Sequence, residues 1–145
     1  LKIASFSGIV SKDVDPGESS WTANEVKVHA TLDAGAHGML LPVGVRLPPT
    51  VNSSLLTEAV FELDDASQVV LENSEPGDAL EKSLQDLCFL LAGGMSGEAQ
   101  RNGRRVKKIL LRTSNKTGNA VNDVNLGVFR IRAFAFPRGD GDALS

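Results

Sequence analysis

Residues 25–32 read Glu25-Val26-Lys27-Val28-His29-Ala30-Thr31-Leu32, an unbroken alternation of apolar and polar side chains. Successive side chains of a strand point to opposite faces, so a period of two marks a half-buried strand. Val26, Val28, Ala30 and Leu32 then share one face, and Glu25, Lys27, His29 and Thr31 share the other. The segment from Asp33 to Gly38 reads as a hairpin loop, because glycine supplies positive φ. Met39 to Leu47 returns as the next strand. Pro42 inside it lacks an N–H and predicts an edge or a bulge. This pair sets the fold class as β, and the rest of the chain is read around it.

Upstream, residues 2–10 form a first strand and residues 11–23 a loop around Asp15-Pro16-Gly17. Downstream, Pro48-Pro49 stops the hairpin, and strands follow at residues 55–63 and 67–72 around the turn Asp64-Asp65-Ala66. One helix is predicted near residues 78–92. Asp78 and Glu81 form a box-like start, Leu80, Leu84, Leu87, Cys88 and Leu91 make one apolar stripe, and Gly93-Gly94 ends it. A glycine-rich loop reaches Arg104, and strands follow at residues 105–113 and 124–136. The expectation is a mainly β domain over residues 1–137, an antiparallel sandwich or barrel of about seven strands with the helix closing one end. Residues 138–145 are read as a flexible tail.

The last strand breaks its own pattern. Apolar residues sit at Val124, Leu126 and Val128, then shift to Phe129, Ile131, Ala133 and Ala135. A one-residue slip sends later side chains to the other face, so either a bulge near Gly127-Val128 or a strand that leaves one sheet for a second surface is expected. Beyond the slip, Arg130, Arg132, Phe134 and Phe136 fall opposite the core side. Their partners lie in a second core layer, another subunit, or a nucleic acid whose bases stack on the rings.

The net charge of −3 conceals a division. Residues 1–100 hold five Lys and Arg against fifteen Asp and Glu, and residues 101–145 hold ten against three. Such halves either mix within the fold, meet between copies, or contact a polyanion. Acidic positions Glu58, Glu62, Asp64, Asp65 and Glu72 are the candidate partner surface. Arg101, Arg104, Arg105, Lys107, Lys108, Arg112, Arg130, Arg132, Phe134 and Phe136 are the candidate subunit-interface or nucleic-acid contacts.

Signatures of chemistry are missing. His29 and His37 have no Cys or His at metal spacing, and no G-x-S-x-G, Walker or G-x-G-x-x-G motif occurs. Asp13, Asp15 and Glu18 begin like a calcium loop, but the required glycine is displaced and Asn24 stands where Glu belongs. Cys88 is the lone cysteine and reads as a buried apolar residue, so no internal disulfide forms. Asn52-Ser53-Ser54 and Asn115-Lys116-Thr117 fit the glycosylation acceptor pattern, and Arg138-Gly139-Asp140 is an adhesion-type tripeptide; all are short motifs. No catalytic residue, metal, cofactor or small-molecule substrate is expected. No apolar run is long enough for a membrane span and no signal-peptide pattern is visible.

The make-up of one β-rich domain, one helix, long polar loops and charge-divided halves resembles the small structural proteins of viruses and phages. The likeness is one of architecture. It implies a non-enzymatic, self-assembling coat, tail-tube or capsid-decorating subunit. Its partners would be copies of itself and other virion proteins, and it would reside in the virion if viral and otherwise in the cytoplasm. The alternative is a nucleic-acid-binding domain using the basic C-terminal strands.

Overall fold

The computed structural model describes residues 9–35, 38–50, 55–87 and 105–136. Ten strands occur among them: β1 (Ile9–Val14), β2 (Glu18–Trp21), β3 (Val26–Asp33), β4 (Met39–Leu47), β5 (Leu55–Leu63), β6 (Gln68–Asn73), β7 (Leu80–Ser83), β8 (Val106–Asn115), β9 (Val121–Asn125) and β10 (Phe129–Phe136). A helix, α1, begins at residue 84 and is described to residue 87. The protein is mainly antiparallel β with a helix, as its sequence predicts.

Eight strands form one hydrogen-bonded sheet that bends into two wings. One wing runs β6-β5-β8-β3 and the other β7-β4-β10-β1. They join at a single pairing, Leu40 in β4 with Val106 in β8. The sheet does not close into a barrel. β5 contributes Leu55, Ala59, Phe61 and Leu63 to the core, and β8 contributes Ile109 and Leu111. From the other wing, Val45, Leu47, Phe129, Ile131 and Ala133 enter the same cluster, so the wings bury one core between them. A small sheet of β2 and β9 adds Trp21 and Val124 to it.

Residues 11–14, read as loop, belong to β1, whose side chains alternate along the edge of the long β10. Residues 18–21, also read as loop, pair with β9 and bury Trp21. The predicted start of the helix is likewise corrected. Residues 80–83 are a strand, because β4 beyond its junction with β8 has an open edge and Leu80 to Ser83 pair there with Leu47 to Gly44. The cap lies five residues later than Asp78: Ser83 N and Oγ both donate to Asp86 Oδ2, at 3.3 and 3.1 Å, at the first turn of α1. Residues 2–8, the part of the predicted helix beyond Leu87 including Cys88, and the tail 138–145 lie outside the described residues.

The expected slip in the last strand is a change of sheet. β9 pairs with β2, Gly127 adopts φ +105°, and β10 pairs with β1 and β4. An L side chain strongly resists that φ, so glycine is what lets the chain pass between the sheets. Pro42 is tolerated at a bulge, since Arg132 opposes Gly44 while Ala133 opposes Pro42.

β3 carries a second bulge, between Val28 and Ala30. It corrects the reading of this strand's faces. Lys27 and His29 turn inward, Ala30 and Leu32 follow on the core side, and Val26 and Val28 stand outside at 48% and 52% exposure. The physical reason is Trp21, which approaches His29 edge-on at 6.5 Å and takes the Lys27 ammonium 5.0 Å above its ring.

Buried amides close the loops. Asn115 Nδ2 donates to Thr22 O and Asn119 O at 2.9 and 2.8 Å, and its Oδ1 accepts from Thr117 N and Oγ1. Replacing Asn115 by alanine is expected to cost about 2–3 kcal/mol in urea denaturation, because two carbonyls and two donors lose one shared partner. A cost near zero would mean that water replaces all four bonds.

Candidate functional site

The outer face of the β7-β4-β10-β1 wing gathers the most distinctive set of side chains. Antiparallel register aligns Asp13, Arg130, Arg46 and Glu81 in one row across four strands. The next row is Ser11, Arg132, Gly44 and Ser83. Beyond it lie Ile9, Phe134 and Leu41, with Ile9 57% exposed.

The first row is held by ion pairs. Arg130 donates from Nε and Nη2 to the two oxygens of Asp13, at 2.9 and 3.3 Å. Arg46 Nη1 donates to Glu81 Oε1 at 2.9 Å. The Arg130 hydrogen bond holds the Asp13 carboxyl below its ordinary value, aided by the charges of Arg130 and Arg132, and Asp13 in turn raises Arg130. Arg132 itself is exposed and makes no ion pair with the described residues.

The basic strand β8 is used differently. Glu58 is only 1% exposed. Its carboxylate accepts from Arg112 Nε at 2.8 Å and from Ser114 Oγ, with Lys116 Nζ 3.9 Å away. Lys108 lies 3.7 Å from Asp33 and opposite Glu62, and Lys107 Nζ donates to Gly38 O at 2.7 Å. Asp64 and Arg105 exchange two bonds through backbone N–H groups, to a carbonyl and a carboxylate. The acidic and basic stretches therefore mix inside one chain along β5 and β8. Glu72 is exposed at the edge strand β6, and Asp65 accepts from Ser67 in the β5–β6 turn. A shallow cleft of about 550 Å³ between these elements is lined by Asp33, Glu62, Gln68, Lys107 and Lys108, whose charges balance.

Arg101, Arg104, His37, Asn52 and the Arg138-Gly139-Asp140 tripeptide lie outside the described residues. Phe134 and Phe136 are half-buried on the outer side of β10, away from Phe129 and Ile131. Asp15 Oδ1 accepts from Gly17 N at 2.9 Å, so the calcium-like stretch is a turn next to an ion pair. Among the described residues no group of three His, Cys, Asp or Glu gathers as a metal site. No helix among them is long and apolar enough to cross a membrane. Asn115 is buried with its amide fully engaged, so the folded chain offers no glycan acceptor there.

Sequence reasoning missed Arg46, Gly44, Asp13 and Glu81 as members of this face. The alternation of β4 carries a signal for the first two, since Gly44 and Arg46 fall opposite Val45 and Leu47. Asp13 and Glu81 become neighbours only through register.

His29 sits inside, 5.1 Å from the Phe129 ring centroid and with Nε2 2.7 Å from Thr113 Oγ1. Burial and then the Lys27 charge hold its pKa below the ordinary 6.5. The unfolded chain therefore binds the proton more readily than the fold does. The stability held by neutral His29 is complete above about pH 6.5 and is lost as pH falls below that value toward the folded one. His29→Gln is expected to flatten the fall in melting temperature between about pH 7 and 5. An unchanged slope would remove His29 as its source.

Comparison with known proteins gives no relative: no protein family, no curated protein and no solved structure matches the chain.

Proposed function

We propose that the protein is a non-enzymatic, self-assembling structural subunit, of the class that builds viral or phage coats, tail tubes or capsid decorations. Its partners are copies of itself and other proteins of the same particle, and its place is the virion. The carrying observation is Val26 and Val28, turned to the surface by the β3 bulge. Among the described strands β3 pairs only with β8, so within the described residues apolar side chains and an unpaired strand edge lie together. Open apolar edges are where chains pair with one another, and soluble monomers usually guard them with charge. Exposed Ile9 supports the same reading on the other wing.

Sedimentation velocity at low salt tests this directly. The wild-type chain is expected to form a defined oligomer, and Val26→Glu with Val28→Glu to give a monomer with an unchanged far-ultraviolet spectrum. A wild-type chain that stays monomeric at high concentration defeats the reading.

A second reading, nucleic-acid binding, is favoured by Arg46 joining Arg130 and Arg132 on one outer face. It rests on Arg132 of β10 rather than on β8, since Arg112 is held by the buried Glu58 and Lys108 lies beside Asp33, whereas Arg132 makes no ion pair with the described residues. Binding would weaken steeply with salt.

A further inference from the structure

Among the described residues nothing requires Gly44 to be glycine. It lies mid-strand in β4, and its φ is not among the positive ones. A Cβ built there would meet nothing within 4 Å. Glycine inside a strand weakens it, and where neither backbone nor packing demands one it marks a close approach from outside. The bulge next to it involves Pro42 and Val43 and leaves Gly44 paired with both Arg132 and Ser83.

Gly44 lies in the floor of an open recess of about 350 Å³, lined by Arg46, Lys82, Ser83, Arg130 and Arg132 together with Glu81 and Asp86. Both carboxylates are occupied, Glu81 by Arg46 and Asp86 by Ser83. Arg46 spends one terminal nitrogen on Glu81, and Arg130 spends Nε and one terminal nitrogen on Asp13. Each guanidinium thus keeps donors to spare, in an orientation already fixed by its ion pair. Arg132 contributes a whole guanidinium free of carboxylates. Planar forks of this kind match tetrahedral oxyanions and bind them bidentately.

We propose that the recess over Gly44 seats an oxyanion of the phosphate class, gripped by Arg132 and flanked by Arg46 and Arg130. The phosphate comes either free or from the backbone of a single-stranded nucleic acid. In the second case the inference rests on the nucleic-acid reading.

The test uses fluorescence anisotropy with a labelled oligothymidylate of about 20 nucleotides at about 50 mM salt. A parallel titration with inorganic phosphate follows the backbone amides by NMR. The variants are Arg132→Gln, Gly44→Val and, as a charge control on an exposed lysine away from the recess, Lys12→Gln. Gly44→Val is expected to fold as the wild type, because its side chain enters open space, and to lose about tenfold or more in affinity. Arg132→Gln should lose a similar factor and lower the salt slope by about one, while Lys12→Gln changes little. Phosphate should shift the amides of Gly44 and Arg132.

Wild-type affinity in Gly44→Val, or an equal loss in Lys12→Gln and Arg132→Gln, overturns the recess and leaves nucleic-acid binding standing. Phosphate shifts at Gly44 without oligonucleotide binding keep the recess and remove nucleic acid as the source. Binding of neither probe overturns both.

Discussion

Trp21→Ala is expected to cost about 3–5 kcal/mol, the range for deleting a large aromatic side chain from a packed core. The melting temperature should fall by roughly 10 °C or more for a chain of this size. Trp21 is among the largest fully buried side chains, and it comes from a strand of only four residues. It holds the small β2–β9 sheet against the main one. It also backs the inward-turned Lys27 and His29, so its loss removes the reason for the β3 bulge. Trp21→Phe should fall much closer to the wild type. It loses volume, but it also removes the buried Nε1–H, which has no hydrogen-bond partner among the described residues. An unmade buried bond costs about 1–3 kcal/mol, which offsets the lost contacts. Far-ultraviolet circular dichroism in urea measures both variants. A Trp21→Ala protein that melts within a few degrees of wild type would place the indole outside the core.

Glu58→Ala is the second large effect, at about 3 kcal/mol. Breaking one side of a buried ion pair leaves the other charge without compensation. Arg112 keeps a side-chain exposure of 24%, so water softens the loss, whereas Ser114 is fully buried and loses its acceptor outright. Glu58→Gln preserves an acceptor for both and should cost less. In a double-mutant cycle, Glu58→Ala with Arg112→Ala should be less damaging than the two single effects added, with a coupling of about 1–3 kcal/mol. Added salt should alter the Glu58 effect little, because the carboxylate is out of reach of counterions. The exposed Asp13–Arg130 pair should fade with salt. Additive single effects at Glu58 and Arg112 would mean that they do not act as a pair.

Local pattern revealed those parts of the fold that local pattern controls. β4 and β5 have the predicted boundaries because Gly38, Pro48-Pro49 and Asp64-Asp65 punctuate them. The helix start was misread because two capping patterns compete, Asp78 with Glu81 and Ser83 with Asp86. Nothing nearby in the chain distinguishes them. The choice is made by the free edge of β4, more than thirty residues upstream, which draws Leu80 to Ser83 into a strand. The β3 faces were misread for a related reason. A bulge changes the period without changing composition, and both His29 and Ala30 can face a core. At the candidate site, Arg130 and Arg132 were legible from the slip in the last strand. Asp13 and Glu81 were not, since they meet their arginines across 117 and 35 residues of chain.

The pairing of β1 with β10 has a consequence for how the chain comes to be folded. Ile9 meets Phe134, and Trp21 meets Val121, so strands from opposite ends of the described chain close both sheets. During synthesis β4 has no β10 beside it until residues 129–136 have emerged. Until then its apolar face, and those of β5 and β8, stay open to whatever is nearby. Distant pairings of this kind make folding slow, because loop closure must be achieved before any contact compensates for it. Nascent copies on one messenger would expose matching edges in the same interval. Their first stable encounter can therefore be with each other, and domain exchange through β10 becomes a competing route to the completed sheet.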